Sequence, residues 1–205
     1  MGKMGAKIVL GIMCMIFASA IPSGGAKERV QLSPNTPEHE LIRLHPAEVD
    51  PSLLPLDAIE ELGKTGVPPS DFQVENWELN VTGKGLENPR SFTYQELLEM
   101  PVVRKRVLLI CPGFFADYAE WEGIPLQEFL QKVGVAGEYK TISFTALDGY
   151  TVRFSREEVE NHFLLLALRV NGETLPLEHG FPVRLVAEDM FGSKWIKWIA
   201  TIAID

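Results

Sequence analysis

A chain of 205 residues, 46% hydrophobic and 23% charged, is long enough to bury a core as one domain, and its composition excludes a fibrous or disordered protein. Its 28 acidic residues outnumber 19 basic ones, and the net charge of −9 argues against nucleic acid or an anionic membrane face as a partner.

Residues 1–26 read as a secretory signal. Lys3 and Lys7 precede the apolar residues 8–20, which end in Ala18, Ser19 and Ala20 and are too few for a spanning helix. The expectation is an exported protein, periplasmic or extracellular, either cleaved between residues 21 and 27 or tethered through this segment. Cleavage would remove Lys3 and Lys7 and no acid, taking the net charge from −9 to −11. Cys14 would leave with the signal, so Cys111 would stand alone and an internal disulfide is excluded.

Residues 27–70 are rich in Pro and acid and read as a linker and wrapping arm, with one short helix at about 56–62. Residues 71–205 form the folded domain. In it Trp77, Leu79 and Val81 share one face of a half-buried strand that Gly83 breaks. Thr93 and Glu96 make a capping box, with Phe92 and Leu97 as its hydrophobic staple, for a helix that stops at Pro101. Residues 102–111 are a strand that begins with Arg104, Lys105 and Arg106 and ends at Cys111, before a loop and a helix. That helix opens at Pro125, carries Leu126, Phe129, Leu130 and Val133 on one face, and stops at Gly134. Asp148-Gly149 joins residues 141–146 and 150–154 as a hairpin; Ser155 with Glu158 caps another helix; 163–170 and 183–186 are strands. The sum is a mixed α+β domain in which short helices cover sheets.

Two places carry chemistry. Cys111 sits at the mouth of a buried strand, where a thiol either packs or holds a soft metal centre. Gly192-Ser193 can turn with outward N–H groups beside Lys194 and Lys197, which suits a phosphate or pyrophosphate; the other reading is two solvated lysines flanking a buried Trp195 and Ile196. A regular strand would place Lys194 and Lys197 on opposite faces. His39, His45, His162 and His179 have no partner at ligand spacing and read as ordinary side chains. No haem-attachment or iron–sulfur cysteine pattern and no Ser-His hydrolase arrangement is present.

Taken in order, Trp77–x–Leu79–x–Val81–x–Gly83, the Thr93 box, Cys111, Trp121–x–Gly123–x–Pro125-Leu126, Asp148-Gly149, Gly180–x–Pro182-Val183-Arg184-Leu185 and Gly192–x–Lys194–x–x–Lys197-Trp198 resemble the molybdopterin-binding domain of the sulfite oxidase superfamily. The resemblance implies a sulfite oxidase-like α+β fold from about Trp77 to the C-terminus. It implies a molybdenum–molybdopterin cofactor, with Cys111 as the catalytic metal ligand and Gly192, Ser193, Lys194 and Lys197 at its phosphate end. Asn76 is the polar candidate for the upstream pterin contact.

Where the sulfite-oxidising branch follows its cysteine with basic residues, this chain has Pro112-Gly113-Phe114-Phe115. That disfavours sulfite and looks more like the branch of the periplasmic methionine sulfoxide reductase catalytic subunit, in which a Trp also lies ten residues after the cysteine. The implied function is two-electron oxygen-atom transfer on a small molecule, with a separate redox partner. The alternative is a cofactor-free domain of the same fold acting as an exported binding or structural module, favoured by the lack of a twin-arginine signal. With no dimerisation domain after residue 205, a monomer is expected.

Overall fold

A computed structural model describes residues 28–135 and 139–205; the proposed signal at 1–26 lies outside the described residues. The arm begins with β1 (Val30–Gln31), passes through α1 (Glu38–Leu41) and a 3-10 turn at Pro46–Glu48, and returns as β2 (Val49–Asp50), parallel to β1. It then runs through 3-10 turns at Ile59–Glu61 and Val74–Asn76 into β3 (Glu78–Thr82). The segment at 56–62 is thus a single 3-10 turn, not an α-helix, and the arm carries an α-helix at 38–41 that composition did not signal.

The domain continues with β4 (Arg90–Thr93), α2 (Tyr94–Leu98), β5 (Val103–Cys111), β6 (Phe115–Pro125) and α3 (Leu126–Val133). It closes with β7 (Thr141–Ala146), β8 (Thr151–Ser155), α4 (Arg156–Asn161), β9 (Leu164–Val170), β10 (Glu173–Thr174), β11 (Arg184–Ala187) and β12 (Ile199–Ile204). One sheet has the order β4-β3-β12-β7-β8; the other runs β10-β9-β6-β5 with β11 also on β9. Their facing sides share one core that includes Leu79, Phe129, Phe144, Leu166, Val186 and Ile202. Among the described residues no helix is long and apolar enough to cross a membrane.

Local chemistry explains the helix starts. At α2 the Thr93 hydroxyl accepts from Glu96 N at 3.3 Å and the Glu96 carboxylate accepts from Thr93 N at 2.8 Å; Ser155 and Glu158 do the same at α4. Two N–H groups that the first turn cannot satisfy are thereby paired. Thr93→Ala is expected to cost about 1 kcal/mol, a loss of roughly 2–4 °C in thermal unfolding.

The stretch after Cys111 differs from the sequence reading. Instead of a loop leading to a helix, a second strand follows: β6 pairs with the whole length of β5, with Cys111 opposite Phe115 and Val103 opposite Gly123. Leu109, Cys111, Phe115 and Trp121 face the main core, while Leu108, Ile110, Ala116 and Tyr118 face the other way. That second face is covered by the arm, through Leu32, Leu41 and Val49. A strand buried on both faces loses the polar–apolar alternation by which strands are recognised.

The arm is fastened as well as packed. Asp57 N donates to Tyr118 O at 2.9 Å, the Asp57 carboxylate accepts from Tyr118 N at 2.7 Å, and the Asp57 carbonyl accepts from the Asn171 side chain at 2.9 Å. Gly63 N donates to Asp117 Oδ1 at 2.9 Å, and a Cβ at 63 would stand 2.2 Å from the Phe115 ring, so only glycine passes there. This contact carries residues 63–66 across the end of the sheet on which Cys111 lies.

Candidate cofactor site

Cys111 ends β5 at a tight turn. Phe114 N donates to Cys111 O at 3.0 Å, Gly113 adopts φ +78°, and Gly113 N reaches the arm at Ile42 O, 3.4 Å away. The thiol is half-buried and opens into a cavity of about 530 Å³. Its other walls are Thr65 and Gly66 of the arm, Asp148 and Tyr150 of the β7–β8 hairpin, and Phe191, Gly192, Ser193, Trp195, Lys197 and Trp198.

The turn at Gly192–Lys194 reaches Cys111 because glycine lets it. A Cβ at 192 would lie 2.2 Å from Cys111 Sγ, so the backbone of this turn is pressed onto the thiol. Tyr150 holds the turn from outside, its hydroxyl donating to Ser193 O at 2.8 Å.

Cys111, Gly192, Ser193 and Lys197 therefore line one cavity, and two sequence candidates do not join them. Lys194 turns to α4 and β8, where its Nζ meets Glu158 Oε1 at 3.0 Å and Arg153 O at 2.8 Å. Asn76 lines a separate depression with Phe72, Gln73 and Leu147. The upstream segment at the cavity is Thr65–Gly66, which carries no Asn or His. The irregular backbone around Trp195 and Trp198, the latter at φ +53°, frees Lys197 from strict strand alternation. Its amine donates to Thr65 O and to Glu178 O, the latter at 2.8 Å, which leaves one of its three N–H bonds free of these two carbonyls.

Beneath this wall lie three buried polar residues that the sequence reading passed over. Arg184 is 5% exposed, His179 1% and Asp117 4%. Arg184 stacks over the rings of Trp121 and Trp195, centroids at 4.7 and 5.5 Å, and one terminal N–H reaches His179 O at 3.0 Å. Arg184 Nε and His179 Nε2 are buried with no hydrogen-bond partner among the described residues. Reading His179 as an ordinary turn residue is therefore corrected: it is an interior side chain with one ring nitrogen lacking a hydrogen-bond partner among the described residues. The available signal was Arg184, a charge within the apolar run Val183, Leu185, Val186, because an arginine seldom enters such a run without a partner.

Burial dominates the electrostatics. It pulls Arg184 down to about 10, with Asp117 and Cys111 opposing, and Lys197 down to about 8, with Arg184 adding to the effect. Burial pushes Asp117 up to about 6 and lowers His179 to about 4, so His179 is neutral at pH 7. The Cys111 thiol is raised by burial and by Asp117, against Arg184 and Lys197.

This arrangement fits a metal that brings its own ligands. Among the described residues no cluster of three or more His, Cys, Asp or Glu could hold a bare ion. One thiol beside buried Arg184, half-buried Lys197 and two unpartnered ring or guanidinium nitrogens instead suits an anionic group already carrying soft donors, as a pterin dithiolene does. Residues 64–205 match the model of the oxidoreductase molybdopterin-binding domain.

The chain belongs to this family. Its α+β fold of mixed sheets and short helices is the sulfite oxidase-like one, and membership implies a molybdenum cofactor. The molybdopterin-domain chain is 26% identical over 184 residues to nitrate reductase [NADH] 1 of Arabidopsis thaliana, covering 74% of this chain and 20% of the relative. It is 27% identical over 134 residues to the protein-methionine-sulfoxide reductase subunit named YedZ1 of Azospira oryzae, covering 65% and 51%. Among solved structures, the sulfane dehydrogenase SoxCD of Paracoccus pantotrophus aligns at a TM-score of 0.60 and 25% identity, covering 65% of this chain and 39% of that one. The chain thus spans between a fifth and about half of the curated relatives just named.

Proposed function

We propose that this protein binds a molybdenum–molybdopterin cofactor with Cys111 as the protein's ligand to the metal, and works as an oxygen-atom transferase on a small molecule. The observation that carries the reading is the backbone of Gly192 pressed onto Cys111 Sγ above the buried, incompletely bonded Arg184. When bound, the cofactor supplies two-electron oxygen-atom transfer.

The chain's own groups have distinct tasks. Cys111 offers a soft donor; burial raises its thiol, and the positive charges of Arg184 and Lys197 offset part of that rise. Arg184 Nε and His179 Nε2, buried behind the cavity wall without a partner among the described residues, would supply polar contacts to the pterin side where water does not compete. Gly192, Ser193 and Lys197 face the same cavity, and Thr65 and Gly66 close it from the arm. A redox partner supplies or removes the two electrons of the cycle. The charged start, apolar 8–20 segment and small residues after it support export to the periplasm or beyond.

Protein expressed in a host that makes the molybdenum cofactor and purified gently is expected to hold close to one molybdenum per chain by elemental mass spectrometry. Folded protein free of molybdenum under those conditions would remove the enzyme reading and leave the cofactor-free module. The lack of Asn or His in the Thr65–Gly66 segment favours that second reading.

A further inference from the structure

One wall of the cavity belongs to neither sheet. Residues 64–67 leave the arm at Gly63 and cross the cavity as an irregular span with no helix or strand of their own. Upstream the span is anchored, because Gly63 N donates to the buried Asp117 carboxylate and Gly63 lies against the Phe115 ring. Downstream Phe72 packs edge-on against Phe181 at a centroid distance of 5.9 Å. Between these anchors Thr65 and Gly66 face the cavity, while Val67 is 81% exposed and adds little to the core.

Two contacts hold the span, and they differ in strength. Lys64 meets Glu178 at 3.3 Å with the two side chains 53% and 43% exposed, so this pair contributes little. Half-buried Lys197 donates its amine to Thr65 O and, at 2.8 Å, to Glu178 O, which ties the span to the 3-10 turn Leu177–His179. A segment with few apolar contacts and one main fastening opens far more readily than the sheets beside it.

That fastening faces the cavity. An ammonium has three N–H bonds, and two of those on Lys197 go to neutral carbonyls. An anion in the cavity can take the third without displacing Thr65 O. The added bond holds the amine in the position from which it reaches the span, so the ordering of one contact serves the other.

We infer that residues 64–67 form a strap that opens to admit the cofactor and closes through Lys197, whose amine bridges Thr65 O to an anionic group in the cavity. The inference rests on the proposal that this cavity holds the cofactor, and goes beyond it by naming what gates entry. Thr65 and Gly66 carry no Asn or His side chain to that group, so the strap's hold on it runs through Lys197. Loading and closure then favour one another: an anion that binds the closed form better shifts the strap towards closed, and by linkage the closed strap holds the anion more tightly.

The test follows trypsin cleavage after Lys64, inside the strap, by mass spectrometry on the cofactor-free full chain, with inorganic pyrophosphate as the anion. Cleavage of a transiently open segment tracks its open population, and cleavage after Lys132 in α3 reports opening of the core instead. Lys197→Met is expected to speed cleavage after Lys64 about tenfold, the effect of losing a charge-assisted hydrogen bond, and to leave Lys132 unchanged. Lys197→Arg, which keeps a cationic donor, is expected to stay within about threefold of wild type. Pyrophosphate is expected to slow cleavage after Lys64 in wild type, about tenfold at about ten times its half-effect concentration, and not in Lys197→Met. Equal cleavage after Lys64 in wild type and Lys197→Met, a parallel rise after Lys132, or no effect of pyrophosphate on wild type overturns the inference. Molybdenum-loaded protein cleaved after Lys64 as fast as unloaded protein also overturns it and leaves the cofactor reading standing. Metal-free protein from a cofactor-making host removes the cofactor reading, while the pyrophosphate comparison still decides whether the strap closes on an anion.

Discussion

Cys111→Ser is expected to lower oxygen-transfer turnover by more than about 100-fold, since changes merely behind a metal's ligands reach 10–100-fold, while the cofactor's own soft donors keep part of the molybdenum in place. A serine hydroxyl is a harder donor and holds its proton far more tightly than a thiol, so neither Arg184 nor Lys197 can make it an equivalent ligand. The fold is expected to survive, because Cys111 is only half-buried and placing a hydroxyl in an apolar site costs about 1–3 kcal/mol at most. Circular dichroism and thermal unfolding separate loss of ligand from loss of structure. A molybdenum-loaded Cys111→Ser protein with unchanged turnover would make the thiol a packing group. Gly192→Ala gives an independent reading, since its methyl would stand 2.2 Å from the sulfur and one of the two must move. Loss of metal with an intact thiol would trace the defect to the turn.

How much of this could be read from residues alone follows the range of the interaction. The capping boxes at Thr93 and Ser155, the Asp148-Gly149 hairpin and the apolar face of α3 are set by neighbours within four residues, and all appear where the pattern places them. β6 was hidden because the arm covers one of its faces and the main core the other, so no alternation marks it. Asn76 was chosen for its polarity and position before β3, but the chain approaches β3 from a different depression. Lys194 and Lys197 are indistinguishable as spacing. They part because the 3-10 turn aims one at Glu158 and the following irregular backbone aims the other at Thr65 and Glu178. His179 ends the 3-10 turn Leu177–His179, a position that spacing marks as surface, yet the fold leaves it 1% exposed.

Asp117→Asn and His179→Gln are expected to tilt stability against pH in opposite directions. The Asp117 carboxyl is held up at about 6 by burial, above its ordinary 3.8, so the folded chain binds this proton more tightly than the unfolded one. The stability from that proton is full below pH about 4 and is lost as pH rises through about 6. His179 does the reverse. Burial and Arg184 lower it from 6.5 to about 4, so its contribution is present above pH about 6.5 and is lost as pH falls through about 4. Each effect is worth roughly 3 kcal/mol, and in the wild-type chain the two oppose each other between about pH 4 and 6.

Removing Asp117 leaves the histidine term alone, so acidification from pH 7 to 4 should cost Asp117→Asn roughly 6–12 °C in thermal midpoint relative to wild type. His179→Gln should gain a comparable amount over the same interval. Carboxylates elsewhere, such as Glu96 and Glu158, titrate alike in all three proteins and cancel in the comparison. If both variants follow the wild-type curve in parallel, Asp117 and His179 are solvated in the native state. The polar layer beneath Cys111 would then be open to water, and the unpartnered nitrogens of Arg184 and His179 would have no need of a ligand.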